Sequence, residues 1–590
     1  MKKKHPKITN FPDAQKGSHN LLPYFLILLF LLLSACGYLT KKQMTISEPL
    51  TGKDESEKVL PAEPENPYFY YILGYQEELK GEWQKALEYY RKAESLDPES
   101  VFLKIQISNL LIRTGRIEEA TQKAEEALRI NPDNVPTLIL LGQLYNAQKR
   151  TEDAIKVLIS AVEKEPKNRE AYIFLGSIYA SLKRFDEALS LFDKLSKEEP
   201  EEPLAYFYSG LLYLEKNSPE KAEEYFKKAI EKREDFEGAY FYLGLLEEMK
   251  ENLKEAERYY KKTLELNPHN LQARNRLSQL YIRQKSYKEA ITELKEFLKL
   301  LPQDLDAHMR LGLLYMQQEL YNKAIEEFRL ILQKRPDAIE PRYYLALSLG
   351  ELGKNDEAIK ELQRILEHDP ENINALLGLG NFLARQKRYK EALEIYEKLL
   401  NLIPDRPDPY LITGSIYIQL NDIDKAIELL LKGTERFPDH PDMHFNLAVA
   451  YEKKKDFSSM ERELRKTIEL DPEHYEAMNY LGYSFAERGI NLDEALRLIQ
   501  RALELKPNSA HIIDSLAWVY YKMKRYNDAL REMKRAIELM NDDPTMLDHL
   551  GDIYDALGMK DLARESWKKA LEFIDKEPGL KESIEKKLSR

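Results

Sequence analysis

The sequence predicts an all-α solenoid of about fifteen helix hairpins, and three observations predict it. Two amphipathic stretches at helical spacing recur as a pair, as in "AYIFLGSIYASLKRFDEALSLFDKLSKEEP" (171–200) and "AYFYLGLLEEMKENLKEAERYYKKTLELNP" (239–268). A small residue returns with a 34-residue period from Gly74, Ser108 and Gly142 through Gly482, Ala517 and Gly551. Alanine follows most of these twelve residues later, from Ala86 to Ala426. A proline closes most pairs, from Pro98 to Pro507, because its ring ends the second helix and cannot continue it. Small residues at both places let the two helices of a pair approach closely, and a large side chain at either would overpack the contact by about 1–3 kcal/mol.

From Pro67 to Glu577 the chain resembles the tetratricopeptide repeat family. That resemblance implies a right-handed superhelix with the first helix of each unit, helix A, on the concave side and helix B on the convex side. The closing "PGLKESIEKKLSR" (578–590) is a charged amphipathic segment expected to cap the open end. The outer units keep a small residue late in helix B, such as Ala93, Ala229 and Ala536, whereas the middle ones carry Phe297, Ile331, Ile365 and Leu399. This divides the solenoid into N-terminal (67–270), middle (271–406) and C-terminal (407–577) repeats. In the middle block either the curvature changes or the packing compensates. Gly482 to Ala495 is one residue longer than its counterparts, an insertion in the turn between helices, where length change is cheap. The stretch beginning "YLGYSFAERGINLDEALRLIQRALELKPNSAHIIDSLAWVYY" also resembles the last repeats of long Gram-negative outer-membrane lipoproteins. These include an adaptor that recruits a carboxyl-terminal processing protease against peptidoglycan hydrolases.

Ahead of the repeats, Lys2, Lys3, Lys4, Lys7 and Lys16 precede an apolar run, Leu21 to Leu33, that ends in Leu33-Ser34-Ala35-Cys36. The run is short for a membrane span, which needs about 20 residues, and the small residues mark a cleavage site, so residues 1–35 read as a signal peptide. Leu-Ser-Ala-Cys resembles the bacterial lipobox, which implies that Cys36, the only cysteine, takes a diacylglycerol and begins the mature chain. An uncleaved anchor from Leu21 to Leu39 is the alternative. Residues 36–66, with Pro, Gly and charge but no apolar period, read as a lipidated flexible tether. With Gly37 after the cysteine, the outer membrane facing the periplasm is the expected location, and the inner membrane is the alternative.

A net charge of -12 opposes nucleic-acid binding, which needs a basic face. No catalytic motif, nucleotide loop or cofactor signature is present, and His440 and His444 are separated by Pro441, which spoils a helical metal pair. The expectation is therefore a non-enzyme with no cofactor and no metal. Binding falls to helix A, whose second, fifth, ninth and twelfth positions face the groove in this family. Tyr71, Tyr75, Phe207, Phe241, Tyr343 and Phe445 are candidate aromatic anchors. Arg274, Arg276, Arg283 and Arg310 are a candidate clamp for acidic groups. The alternative for each is packing between repeats or a solvated ion pair. The function expected is a membrane-anchored scaffold for protein or peptide partners, a periplasmic protease and peptidoglycan hydrolases among them. The alternative is an assembly lipoprotein for secretin, type IV pilus or exopolysaccharide export machinery.

Overall fold

The computed structural model describes residues 66–589, and among them it contains 31 α-helices, two short 3-10 turns and no strand. Cys36, the expected signal peptide and all but the last residue of the expected tether lie outside the described residues. The chain divides into two compact units, one up to Ala307 and one from His308 onward.

Within each unit the hairpins follow the predicted period. In the first, helix A is Pro67–Leu79 and helix B is Trp83–Leu96; in the last, they are Pro544–Ala556 and Lys560–Glu572. Helix A starts are fixed by short polar caps: Ser100, Asn134, Asn168, Asn270, Asn372 and Asp543 each accept a backbone N–H with the side chain. In both units successive A helices touch, as Val135–Ala147 does Arg169–Ser181 and Pro407–Gln419 does Pro441–Lys453. Successive B helices make no comparable contact among the described residues, so helix A lies on the inner side of each stack.

The turn from helix A to helix B is made by one left-handed residue per hairpin, at Gly81, Gly115, Lys149, Lys183 and onward to Gly558. Most of these are not glycine, although a left-handed L-residue costs about 1 kcal/mol. The longer turn of the thirteenth hairpin uses two, Gly489 at φ 67° and Asn491 at φ 47°, which absorbs the inserted residue without moving either helix out of its pairing.

The recurring small residue has a more specific partner than the alanine twelve residues on. A Cβ added at Gly74, Gly176, Gly210, Gly244, Gly312, Gly380 or Gly551 would meet a ring sixteen residues later, from Tyr90 to Trp567, at 2.3–2.6 Å. Where the small residue is Ser108, Ser278, Ala346, Ala448 or Ala517, the matching helix B residue is Ala124, Leu294, Leu362, Leu464 or Met533, never a ring. Wherever helix B places a ring at this contact the facing residue is glycine, whereas Gly142, Gly414 and Gly482 face Leu158, Leu430 and Ile499. The bulky Phe297, Ile331, Ile365 and Leu399 of the middle block are all buried, so their extra volume sits inside the stack.

The last hairpin is followed by a short helix, Lys581–Leu588. Its Ile584 is fully buried on Leu547, Ala563, Trp567 and Ala570.

Candidate partner-binding face

Because helix A lines the inner side, its fifth position, four residues into each helix, defines a candidate contact face. In the second unit Met309, Tyr343, Leu377, Leu411 and Phe445 occupy it in five consecutive hairpins, and each is half-buried. Half-burial leaves a continuous apolar strip that is anchored by packing yet open to contact, as Phe445 shows by resting on the His474 ring at 5.1 Å and the Tyr480 ring at 5.9 Å. Beyond Phe445 the same position turns polar, to Asn479 and then to the buried carboxylates Asp514 and Asp548.

The acidic end is a connected network. His549 Nδ1 meets Asp514 Oδ1 at 2.8 Å, and the imidazole stacks on Trp518 with centroids 3.9 Å apart. Trp518 in turn stacks on Tyr521 at 4.7 Å and donates its indole N–H to Glu487 at 2.7 Å. Burial pulls the His549 pKa down, but the carboxylates of Asp514, Asp548 and Asp552 outweigh it and hold the imidazole above its ordinary value. Burial raises Asp552, against the pull of Lys587, and the same two carboxylates keep Lys587 firmly charged although burial opposes it.

The first unit is built differently. Phe207 and Phe241, expected as groove anchors, are interior residues, each 8 % exposed. Phe207 packs edge-on to Phe236 and Tyr242, and Phe241 against Tyr242 and Tyr260. Burial pushes the neighbouring Tyr208 and Tyr242 hydroxyls up to about 12. The helix A side chains they were assigned to contact a partner instead fill the space between hairpins. Tyr71 and Tyr75 do reach the surface. Tyr71 stacks on Tyr90 at 5.5 Å, Tyr75 is 48 % exposed, and Tyr71 lines a pocket of about 380 Å³ with Tyr68, Phe102 and Leu103.

Three of the arginines expected to clamp a ligand lie beside glutamates of the fold. Arg274 reaches Glu293 at 2.8 Å and the carbonyl of Pro268 at 2.8 Å. Arg276 lies 3.9 Å from Glu248, and Arg283 bonds Glu251 at 2.7 Å. Arg310, in the second unit, is half-buried. Arg274 belongs to a repeated bracket: an arginine or histidine at the fourth position of helix A ties to a glutamate nineteen residues later on helix B. His308–Glu327 at 2.6 Å, Arg342–Glu361 at 2.5 Å and His444–Glu463 at 2.7 Å repeat it. Arg342 and His444 also reach a proline carbonyl six residues back, Pro336 and Pro438. The signal was present in the sequence as basic residues at 274, 308, 342 and 444 with glutamate nineteen residues on. Both ring nitrogens of His444 are thus committed, to Glu463 and Pro438, and among the described residues no group of three metal-ligating side chains gathers.

Comparison with known proteins bears on the fold and the family. Solved structures similar to this chain include the APC/C hetero-tetramer Cut9-Hcn1, 15 % identical over 82 % of this chain and 96 % of that one, with a TM-score of 0.34. Naa15/Naa10 bound to HypK-THB is 14 % identical over 89 % of this chain and 99 % of that one, with a TM-score of 0.32. MamA is 26 % identical over 27 % of this chain and 94 % of that one, with a TM-score of 0.25. No curated protein matches. Family profiles described as tetratricopeptide repeat match residues 111–178, 147–211, 249–299, 383–448 and 490–565, and others with the same description match 210–270, 276–339, 343–410, 461–510 and 441–474. With hairpins of the predicted length under those matches, the chain belongs to the tetratricopeptide repeat family.

Proposed function

We propose that this protein is a non-enzymatic scaffold, lipid-anchored at Cys36 to the periplasmic side of the outer membrane, which recruits a carboxyl-terminal processing protease and its cell-wall hydrolase substrates. The observation that carries the binding role is the strip of half-buried apolar side chains from Met309 to Phe445, five hairpins long and followed by Asn479 and then the buried carboxylates Asp514 and Asp548. A strip of that kind offers apolar contact area to an extended segment or helix, with a charged terminus that fixes its direction. The export and anchoring parts of the reading rest on Leu33-Ser34-Ala35-Cys36 and the basic residues ahead of it. The protease part rests on the likeness of the last repeats.

Affinity capture from solubilised membranes, followed by mass spectrometry, tests the partner class. Recovery of a protease with a wall hydrolase is the expected result. Recovery of secretin, pilus or export components without them overturns the adaptor reading in favour of an assembly lipoprotein. Cys36→Ser is expected to move the protein from the membrane to the soluble fraction with its helical content unchanged; retention in the membrane fraction would support the uncleaved anchor.

A further inference from the structure

The terminal helix does more than cover an open end, because it lies on groove positions. Lys587 places its ammonium 2.8 and 2.9 Å from the two carboxylate oxygens of Asp548 and 2.7 Å from Asp552. Asp548 and Asp552 are the fifth and ninth residues of helix A in the last hairpin, the positions that continue the strip running from Met309 to Phe445. All three donors of the ammonium are therefore used on the binding face itself.

We infer that Lys581–Leu588 is a displaceable self-ligand, which holds the acidic end of the binding face closed until a partner helix bearing an apolar branched residue and, three positions later, a lysine or arginine replaces Ile584 and Lys587. This rests on the reading of the inner face as the partner site. Three observations make the seat exchangeable. The helix has only eight residues, too few to persist without docking, and Ile584 is its one buried side chain. It is joined to the last hairpin through two 3-10 turns, Ile574–Lys576 and Pro578–Leu580, so it can leave without unwinding helix B. Asp548 is buried and Asp552 half-buried beside it, next to Asp514 and His549, and an uncompensated pair of carboxylates so placed demands a cation. Lys587 supplies it within the chain, and a partner's basic side chain would supply it in exchange.

The test uses the full chain and the synthetic peptide of residues 578–590 as probe. In the wild-type protein, amides of Lys581–Leu588 should exchange at least about tenfold faster than those of Lys560–Glu572, which marks a helix that opens on its own. Full-length Lys587→Ala should bind the peptide about tenfold more tightly than wild type does, since its own helix no longer competes. A peptide carrying Lys587→Ala should not bind, and Asp555→Asn, on the exposed side of the same helix A, should change nothing. Equal exchange of the two helices, or a Lys587→Ala chain that takes up both peptides alike or neither, overturns the proposal and leaves the helix a fixed cap. The peptide experiment needs no partner, so its failure is separate from failure of the membrane capture.

Discussion

Among the described residues, the first hairpin of the first unit and the last hairpin of the second pack against another hairpin on one side only, which poses the same physical problem to both. They solve it differently. At the tenth and eleventh positions of helix A, where the other hairpins bury mostly apolar side chains such as Leu110 and Leu111, the first hairpin carries Gln76 and Glu77. Among the described residues it then leaves Phe69, Ile72 and Tyr68 exposed. The last hairpin keeps an apolar surface and buries it under Ile584 of an added helix. One end is finished by composition and the other by a covering element, and only the second can be opened and closed.

The largest effect separating the two ends should come from Ile584→Ala, which removes a fully buried side chain and is expected to cost the last hairpin about 2–4 kcal/mol. The same change at Ile72, 54 % exposed, should cost less than about 0.5 kcal/mol. Because repeats open locally, hydrogen exchange of the terminal hairpins is the proper readout. Equal losses at both ends would erase the contrast. Next, Gly551→Ala places a Cβ 2.3 Å from the Trp567 indole and Gly74→Ala places one 2.5 Å from the Tyr90 ring; both should cost about 1–3 kcal/mol. These two report on packing that the ends share, so they should agree where the isoleucines differ.

Of the two end hairpins, the C-terminal one should depend on pH near neutrality. His549 is held above its unfolded value, so its contribution to stability is complete below about pH 6.5 and is lost as pH rises through the raised value. Exchange of Pro544–Ala556 should accelerate from pH 6 to pH 9 relative to that of Pro67–Leu79, and His549→Gln should flatten the difference. A smaller effect than that of the packing changes belongs to Gly115→Ala, at φ 76° with open space around it. It should cost about 1 kcal/mol, seen as a modest drop in the melting transition of the first hairpins.

The hairpins, their boundaries and the helix A to helix B contact were legible because each depends on a periodic local pattern: an apolar stripe, a small residue, a closing proline. What the small residue faces was not legible from one position alone, since the partner ring lies sixteen residues away on another helix. The binding face was read too narrowly. Selecting aromatics at the fifth position picked out Phe207 and Phe241, whose rings turn inward where neighbouring hairpins supply Phe236 and Tyr242 as cover. It passed over Met309, Leu377 and Leu411, which are as exposed as Tyr343 but carry no ring. The arginines looked like a patch because charge in a sequence shows no partner; Glu293 lies on helix B of the same hairpin and Glu251 in the turn of the preceding one. The acidic seat was missed because Asp548, Asp552 and Lys587 converge only when the terminal segment folds back.

The central claim is that partners are held on the inner face of the second unit. It is tested most directly by affinity capture with wild type and with a Tyr343→Ala/Phe445→Ala double variant of unchanged circular dichroism. The account predicts that proteins retained by wild type are lost from the variant, whereas capture of the same proteins in the same yield would contradict it.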